Sequence, residues 1–511
     1  MEYLRSLSWP HIAGAIVVYA ISLGFYRLFL HPLARFPGPR LAALTRYYEA
    51  YYDVICNGQY TFKIAKLHEK YGPIIRISPY ELHCADPAFF EKLYGQDSRL
   101  DKYAWSYDAF SAPESTICTI GHEAHRRRRA PLNPFFSKAS VARKQDIIRV
   151  AVDKLCQRIS TFSDSQRSMN LSHAMSALAR DVSAQFILAK SYNNLDAEDF
   201  DAGMTGVLQS SGAIWRVTKH VRWLGPLVKS MPLGLIEKIG DDGTKAFMGF
   251  LKDVLVIATD AVKTASRPDR IEEKKSLVDE ILDSDLPPAE KTITRMNDEL
   301  GTITGAAFET TANVLRLVLY FVYQDARILE TLREEITASL RSSRRAEVVD
   351  MDISALEQLP YLTAVLREGL RLSPGIATRM ARVAPGQTLA YNQWQIPPGT
   401  PVGMTSLLLH MDEDLYPDPK RFEPERWLDV SFRRKADKTF SPFSKGTRIC
   451  LGMHLAWAEL YMVVASLVDQ FDFKFIDAGL KDIECVSDQF IPGFQDLSGI
   501  KVKVTRASGG I

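Results

Sequence analysis

Cysteine is scarce in this 511-residue chain: six residues (Cys56, Cys84, Cys118, Cys156, Cys450, Cys485), widely scattered and without a C-x-x-C pair. That argues against a disulfide framework or a zinc site and suits a reducing compartment. Charge of one sign is missing too. With 63 basic against 61 acidic residues the net charge is +2, which leaves no electrostatic case for a nucleic-acid partner. There are no repeats, no low-complexity tracts and no long flexible linker after Arg40. Length alone suggests about three domains, yet residues 40–511 read as one large domain. A composition 46% hydrophobic and 24% charged supplies ample core for it.

One long apolar run is present, at the N-terminus. Ile12–Tyr26 is uncharged and continues through Leu30 with Arg27 as its only interruption, just enough to span a bilayer core. Trp9 and Tyr26 stand near the expected interfaces, and Arg27 is placed to snorkel. Arg27, Arg35, Arg40 and Arg46 follow the run, whereas only Arg5 precedes it, so the positive-inside rule puts the body in the cytosol. No small-residue cleavage site follows, which favours an uncleaved anchor over a signal peptide. The expected division is a luminal N-terminus (1–11), a transmembrane anchor (12–30), a stiff Pro/Gly hinge (31–39, His-Pro-Leu-Ala-Arg-Phe-Pro-Gly-Pro) and a body (40–511). The sequon at Asn170 is expected to stay unused on the cytosolic side.

Helical periodicity dominates over Asp146–Arg158, Asp298–Tyr323, Ala326–Leu340, Tyr361–Leu372 and Met453–Val468. Short strand patterns occur at Ile74–Ser78, Thr388–Ala390 and Lys501–Thr505. Arg267–Lys291, charged and carrying Pro287-Pro288, reads as a solvated connection.

The most informative residues are Phe443-Ser-Lys-Gly446-Thr-Arg448-Ile-Cys450-Leu-Gly452. Five fixed residues in F-x-x-G-x-R-x-C-x-G arise by chance in a chain this long on the order of once in ten thousand. The pattern suits a thiolate held under a haem iron. Gly446 permits a sharp turn and Gly452 a close approach to a flat macrocycle. Arg448 offers a permanent cation to a propionate, and Phe443 shields the sulfur. A thiolate axial ligand pushes electron density onto iron and favours O–O cleavage. A lone cysteine is usually an inert buried thiol, but these neighbours argue otherwise.

This decapeptide resembles the haem-binding signature of the cytochrome P450 family, and further motifs agree with it in order and spacing. The resemblance implies a mainly α fold with small β-sheets, preceded by one transmembrane helix, and heme b (iron protoporphyrin IX) with Cys450 as the axial ligand. Gly305-Ala-Ala-Phe-Glu309-Thr310-Thr311 lies in the longest helical segment, where small and β-branched residues predict a helix that opens locally. It resembles the family's oxygen-activation motif, in which the Thr310 position steadies bound oxygen and a water while Glu309 relays protons from solvent. Without the resemblance, Glu309 would be read as one more solvated helix residue.

Glu368-x-x-Arg371 and the Pro-Glu-Arg426 run match two further family motifs, implying a buried structural network of Glu368, Arg371 and Arg426. By spacing alone the first is an ordinary surface pair. His125 and Arg129 fall on the family's propionate-binding aromatic and arginine, with His where many members carry Trp. Arg382 aligns with a further propionate-binding arginine, for which Arg379 is the alternative. The other arginines of 126–128, with Lys138, Arg143 and Lys144, suit either a docking face for an acidic electron donor or plain solvation. His122 and His125 lack a third ligand for a metal of their own.

Tyr103–Ile117, Gly203–Leu227, Gly375–Thr378 and Phe490–Phe494 correspond to pocket segments of the family. Their Trp105, Phe110, Trp215, Trp223, Ile376, Phe490 and Phe494 suit an apolar substrate. The implied activity is oxygenation with O2 and two electrons, from NADPH through NADPH-cytochrome P450 reductase, at the endoplasmic reticulum membrane. The run His31–Ala43, with Gly58–Lys63 and Leu67–Pro73, resembles fungal biosynthetic members, trichodiene oxygenases among them. That points to a sesquiterpenoid, with polyketide, alkaloid or diterpenoid substrates as alternatives. A haem-thiolate isomerase or dehydratase would need no acid–alcohol pair at 309–310. A non-catalytic haem sensor would need no apolar pocket.

Overall fold

The apolar stripe of one long helix sets the position of the core. The computed structural model describes residues 9–230, 240–265 and 276–507. Its central helix, Ile293–Gln324, begins at Thr292, whose side chain accepts from the Arg295 amide. Buried Leu300, Phe308, Ala312, Leu315 and Leu319 run along it. Around it pack Leu171–Leu188, Asp242–Thr264, Pro360–Leu372 and Met453–Gln470. All five expected helices lie within observed ones: Gln145–Ser165, the central helix, Ala326–Ser343, Pro360–Leu372 and Met453–Gln470.

Leu171–Leu188 gives no such warning in sequence. It is buried on almost every side, so no polar face marks its period. Asn170 caps it: Oδ1 accepts from the His173 amide at 3.2 Å and Nδ2 donates to the Ser498 carbonyl at 2.8 Å. The sequon amide is thus committed to the fold. The segment Arg267–Lys291 departs from expectation. Its residues up to 275 lie outside the described ones, but Leu277, Val278 and Ile281 on the helix Leu277–Leu282 are core. Their apolar contacts outweigh the charges around them.

The β-structure is small and peripheral. A five-stranded sheet orders Ile74–Arg76, Leu82–Cys84, Pro401–Gly403, Arg382–Val383 and Asp101–Lys102. A three-stranded sheet joins Met169–Asn170, Lys501–Arg506 and Phe471–Ile476. Two hairpins, Leu389–Ile396 and Ser487–Gly493, complete it.

Trp9–Leu30 is one helical stretch long and apolar enough to cross a membrane, with none of it buried. Arg27 at its end does not snorkel. It donates to the Leu44 carbonyl at 2.5 Å and the Tyr80 hydroxyl at 2.6 Å, while its own carbonyl accepts from Arg76 at 2.8 Å. The stiff segment 31–39 is packed against the body. Leu33 and Phe36 are buried, and Phe36 stacks on Trp394 with ring centres 4.8 Å apart. The segment is a strap laid on the body.

Candidate active site

The cysteine loop is built by backbone. The Cys450 amide donates to the Phe443 carbonyl at 2.8 Å, closing the turn. Gly446 sits at φ +65°, and a Cβ there would lie 2.4 Å from the Tyr94 carbonyl, so only glycine fits. Gly452 differs: a Cβ there would meet no atom within 4 Å. Phe443 is half-buried near Trp457. Cys450 is exposed, although burial by the surrounding protein pushes its thiol up, opposed by the Gly452 amide and Arg129. Both hold because the sulfur faces an interior cavity rather than bulk water.

The central helix borders the same cavity. Ala306 is exposed and Thr310 half-buried in the middle of the helix, between buried Thr304, Phe308 and Thr311, and a Cβ on Gly305 would point into open space. Gly375 ties the two walls together: its Cβ position lies 3.9 Å from both the Pro442 carbonyl and the Thr310 Cβ. The helix does not open here as its composition suggests. It runs unbroken, and the Thr310 hydroxyl donates to the Ala306 carbonyl at 2.9 Å. Glu309 points elsewhere and is buried, not solvated, pairing with Arg316 at 2.5 Å.

Cations gather at one edge of the cavity. Arg448 donates to the carbonyls of Thr119 and Ile120 at 2.9 and 2.7 Å, leaving its Nε without a partner among the described residues. Arg129 donates to the Ile449 carbonyl at 2.5 Å and to Asn133 at 3.0 Å. Arg382 finds only the carbonyls of Met380 and Ala381, at 3.1 and 3.4 Å. Lys102 stands directly across the strand pair from Arg382. Nothing in the sequence singles out Lys102; its neighbour comes from a strand 280 residues away. Burial and then Arg448 push the Lys102 ammonium well below its ordinary range, and burial with the same cations lowers the His125 imidazole to about 2.

None of these five forms an ion pair among the described residues. Asp101, a carboxylate felt by Arg448, accepts the His122 amide instead. Buried like charges are costly unless an anion joins them. Two carboxylates of a flat group lying over an exposed thiol meet that requirement, so these residues fit haem. Arg379 is not available for it, because Glu49 and Glu81 hold it at 2.7 and 2.6 Å.

Behind the cysteine loop, Glu368, Arg371 and Arg426 are buried together. The five N–H donors of Arg371 go to Glu368 twice and to the carbonyls of His410, Pro419 and Arg421. Glu368 also accepts from Arg426 at 3.1 Å, Trp427 at 2.9 Å and the Glu423 amide at 3.0 Å. The surface-pair reading by spacing therefore fails. His410 carries the order onward: Nδ1 bonds the Arg371 carbonyl at 3.0 Å and Nε2 accepts the Ser441 amide at 3.1 Å, at the start of the cysteine loop.

The four arginines diverge as the helix period requires. Arg128 is held by Glu114 and Glu290 at 3.0 and 2.7 Å, while Arg126, Arg127 and Arg143 are exposed. Lys138 pairs with Glu357, and Lys144 lies over the Phe135 ring at 3.8 Å. The pocket segments converge. Phe490 meets Phe110 at 4.7 Å and Trp215 at 5.3 Å between ring centres, and its carbonyl accepts the Ala377 amide at 2.9 Å. Trp105 instead stacks under Arg46 at 3.7 Å, and Trp223 is exposed. Glu49, Asp53 and His220 come close enough for a metal, but Lys219 already lies between the two carboxylates.

Fold and site together define a haem-thiolate oxidoreductase. The family model described as Cytochrome P450 matches residues 51–491, and the chain belongs to the cytochrome P450 family. It is a monooxygenase of the fungal secondary-metabolism kind. It is similar to a tryptophan 6-hydroxylase of Fusarium equiseti, 36% identical over 97% of each chain. An N-acetyltryptophan 6-hydroxylase of Emericella nidulans is 34% identical over 95% of this chain and 94% of its own. A crystal structure of a cytochrome P450 matches in fold, with TM-score 0.69 at 18% identity, covering 88% of this chain and 94% of that one.

Proposed function

We propose that this is a membrane-anchored monooxygenase that hydroxylates or epoxidises a mainly apolar small molecule, a sesquiterpenoid being one such substrate. Its electrons come from NADPH through a flavoprotein reductase. The observation that carries the reading is one exposed thiol, Cys450, set in a cavity shared with Thr310 and edged by buried Lys102, Arg382 and Arg448 and half-buried Arg129, none of them in an ion pair among the described residues.

When bound, haem supplies dioxygen activation and insertion of one oxygen atom into the substrate. Cys450 would hold its iron through the sulfur, and a thiolate there needs the positive charge that a haem iron would provide. Arg129, His125, Arg382 and Arg448, with Lys102, would hold the propionates. Thr310 holds a proton at Oγ1 beside the reacting atoms, once it turns from Ala306. Glu309 passes protons inward only by swinging off Arg316. Phe110, Trp215 and Phe490 exclude water and orient the substrate.

The apolar helix Trp9–Leu30 and the exposed Leu41, Tyr47, Tyr51 and Ile55 beside it support single-pass anchoring in the endoplasmic reticulum. Exposed Arg126, Arg127 and Arg143 suit an acidic reductase surface. The relatives named for tryptophan and N-acetyltryptophan support a second reading, a planar aromatic substrate, which the aromatic cluster also accommodates. The test is the reduced carbon monoxide spectrum: a thiolate-type band in wild type, lost in Cys450→Ser. Product from a terpene and indole panel is expected only with NADPH and reductase. A band that survives Cys450→Ser refutes the reading.

A further inference from the structure

A second chamber adjoins the aromatic cluster. Helix Ala202–His220, the hairpin Ser487–Gly493 and the central helix bound a cavity of about 200 Å3, whose wall includes Asn57, Gln209, Arg216, Asn313, Gln489 and Phe494. Asn313 lies three residues beyond Thr310 on the helix face that carries Ala306 and Thr310. Ile491, also in the wall, follows Phe490 directly. The chamber wall and the aromatic cluster are thus built from the same two elements, Trp215-Arg216 on the helix and Phe490-Ile491 on the hairpin.

Its wall holds donors and acceptors that the protein leaves unused. Arg216 is 5% exposed, and its Nη2 donates to Asn57 Oδ1 at 2.6 Å, but Nε and Nη1 are buried without a partner among the described residues. Asn313 is 3% exposed and its Oδ1 is likewise alone. Asp53 and Asp488 act on Arg216 only through space. Asp53 is taken by Lys219 and His220, and Asp488 by the Thr61 hydroxyl and the Phe490 amide. One hydrogen of Nη2 goes to Asn57, and its second hydrogen completes a parallel pair with either Nε–H or Nη1–H, the planar fork that a carboxylate matches with two oxygens. Leaving such donors dry is unfavourable, and an apolar ligand would not relieve it.

We propose that Arg216 anchors a carboxylate of the substrate, with Asn313 accepting a neighbouring N–H or O–H of the same molecule. The substrate is then an apolar acid, its body laid along Phe490 and Trp215 towards Thr310. This rests on the monooxygenase reading above and narrows it.

The test is calorimetric titration of the full-length, haem-loaded protein with two acid and ester pairs: N-acetyl-L-tryptophan with its methyl ester, and farnesoic acid with methyl farnesoate. In at least one pair the acid is expected to bind wild type tenfold or more tightly than the ester. Arg216→Gln should abolish that preference while changing the ester's Kd less than threefold. Arg216→Lys keeps a cation and should retain part of it, and Asn313→Leu should weaken the same acid three- to tenfold. The anchor is overturned by a wild type with no acid preference in either pair, including the case where neither member binds, or by a preference that survives Arg216→Gln. Esters that bind and are turned over without acid preference leave the monooxygenase reading standing. A missing carbon monoxide band removes that reading itself.

Discussion

At residue scale, Lys102 shows how a binding site stores unfavourable charge. Its ammonium is buried opposite Arg382 and near Arg448, without an ion pair among the described residues. Lys102→Met removes a repulsion that only a bound anion relieves. Haem-free protein should become more stable in urea by about 2 kcal/mol, while haem transfer to apomyoglobin should speed up several-fold. Thr310 makes the opposite case, because its hydroxyl bonds only its own helix. Thr310→Ala is expected to keep stability within about 0.5 kcal/mol. It should raise NADPH consumed per product several-fold, measured as cofactor oxidation against product.

At the scale of elements, the join between Pro360–Leu372 and the cysteine loop carries the load. Glu368 accepts five hydrogen bonds in a site closed to solvent, so Glu368→Gln leaves two buried guanidinium groups short of charge. Loss of one partner from such a group costs about 3–5 kcal/mol, to be read as a lower urea midpoint and poor haem incorporation. His410 adds a pH dependence. Burial and then Arg371 push its imidazole down to about 3, whereas the unfolded chain protonates it near its ordinary value of 6.5. Between those values the unfolded state binds more protons, so stability is complete above pH 6.5 and falls as pH drops towards 3. From this group alone the loss at pH 5 is about 2 kcal/mol relative to pH 8. Urea curves at both pH values should show a smaller difference for His410→Gln.

At the scale of the whole molecule, the N-terminal strap is part of the body. Phe36 fills a pocket against Trp394, so Phe36→Ala should cost about 3 kcal/mol. Deleting residues 1–25 should leave the midpoint nearly unchanged, and deleting 1–39 should lower it markedly. Equal midpoints for the two truncations would contradict the packed strap.

Much of this molecule was legible from sequence wherever a property is local. Helices with a polar and an apolar face announce themselves, as Ala326–Ser343 does, and the Cys450 decapeptide needs its turn at Gly446 wherever it stands. Leu171–Leu188 was not legible, because burial on all sides erases the periodic contrast. Lys102, Arg216 and Asn313 were not legible either, because an uncompensated charge, donor or acceptor exists only relative to neighbours brought from elsewhere in the chain.

What the amino-acid order determined alone was the thiolate loop, the amphipathic helices and the apolar N-terminal span, since each depends on backbone geometry or contrast within a few turns. Tertiary structure decided which cations share one wall, that Glu309 faces Arg316, that Arg379 is already held, and that two nitrogens of Arg216 are left unpaired among the described residues. Charge and hydrogen bonding act through space, and only the folded chain fixes those distances.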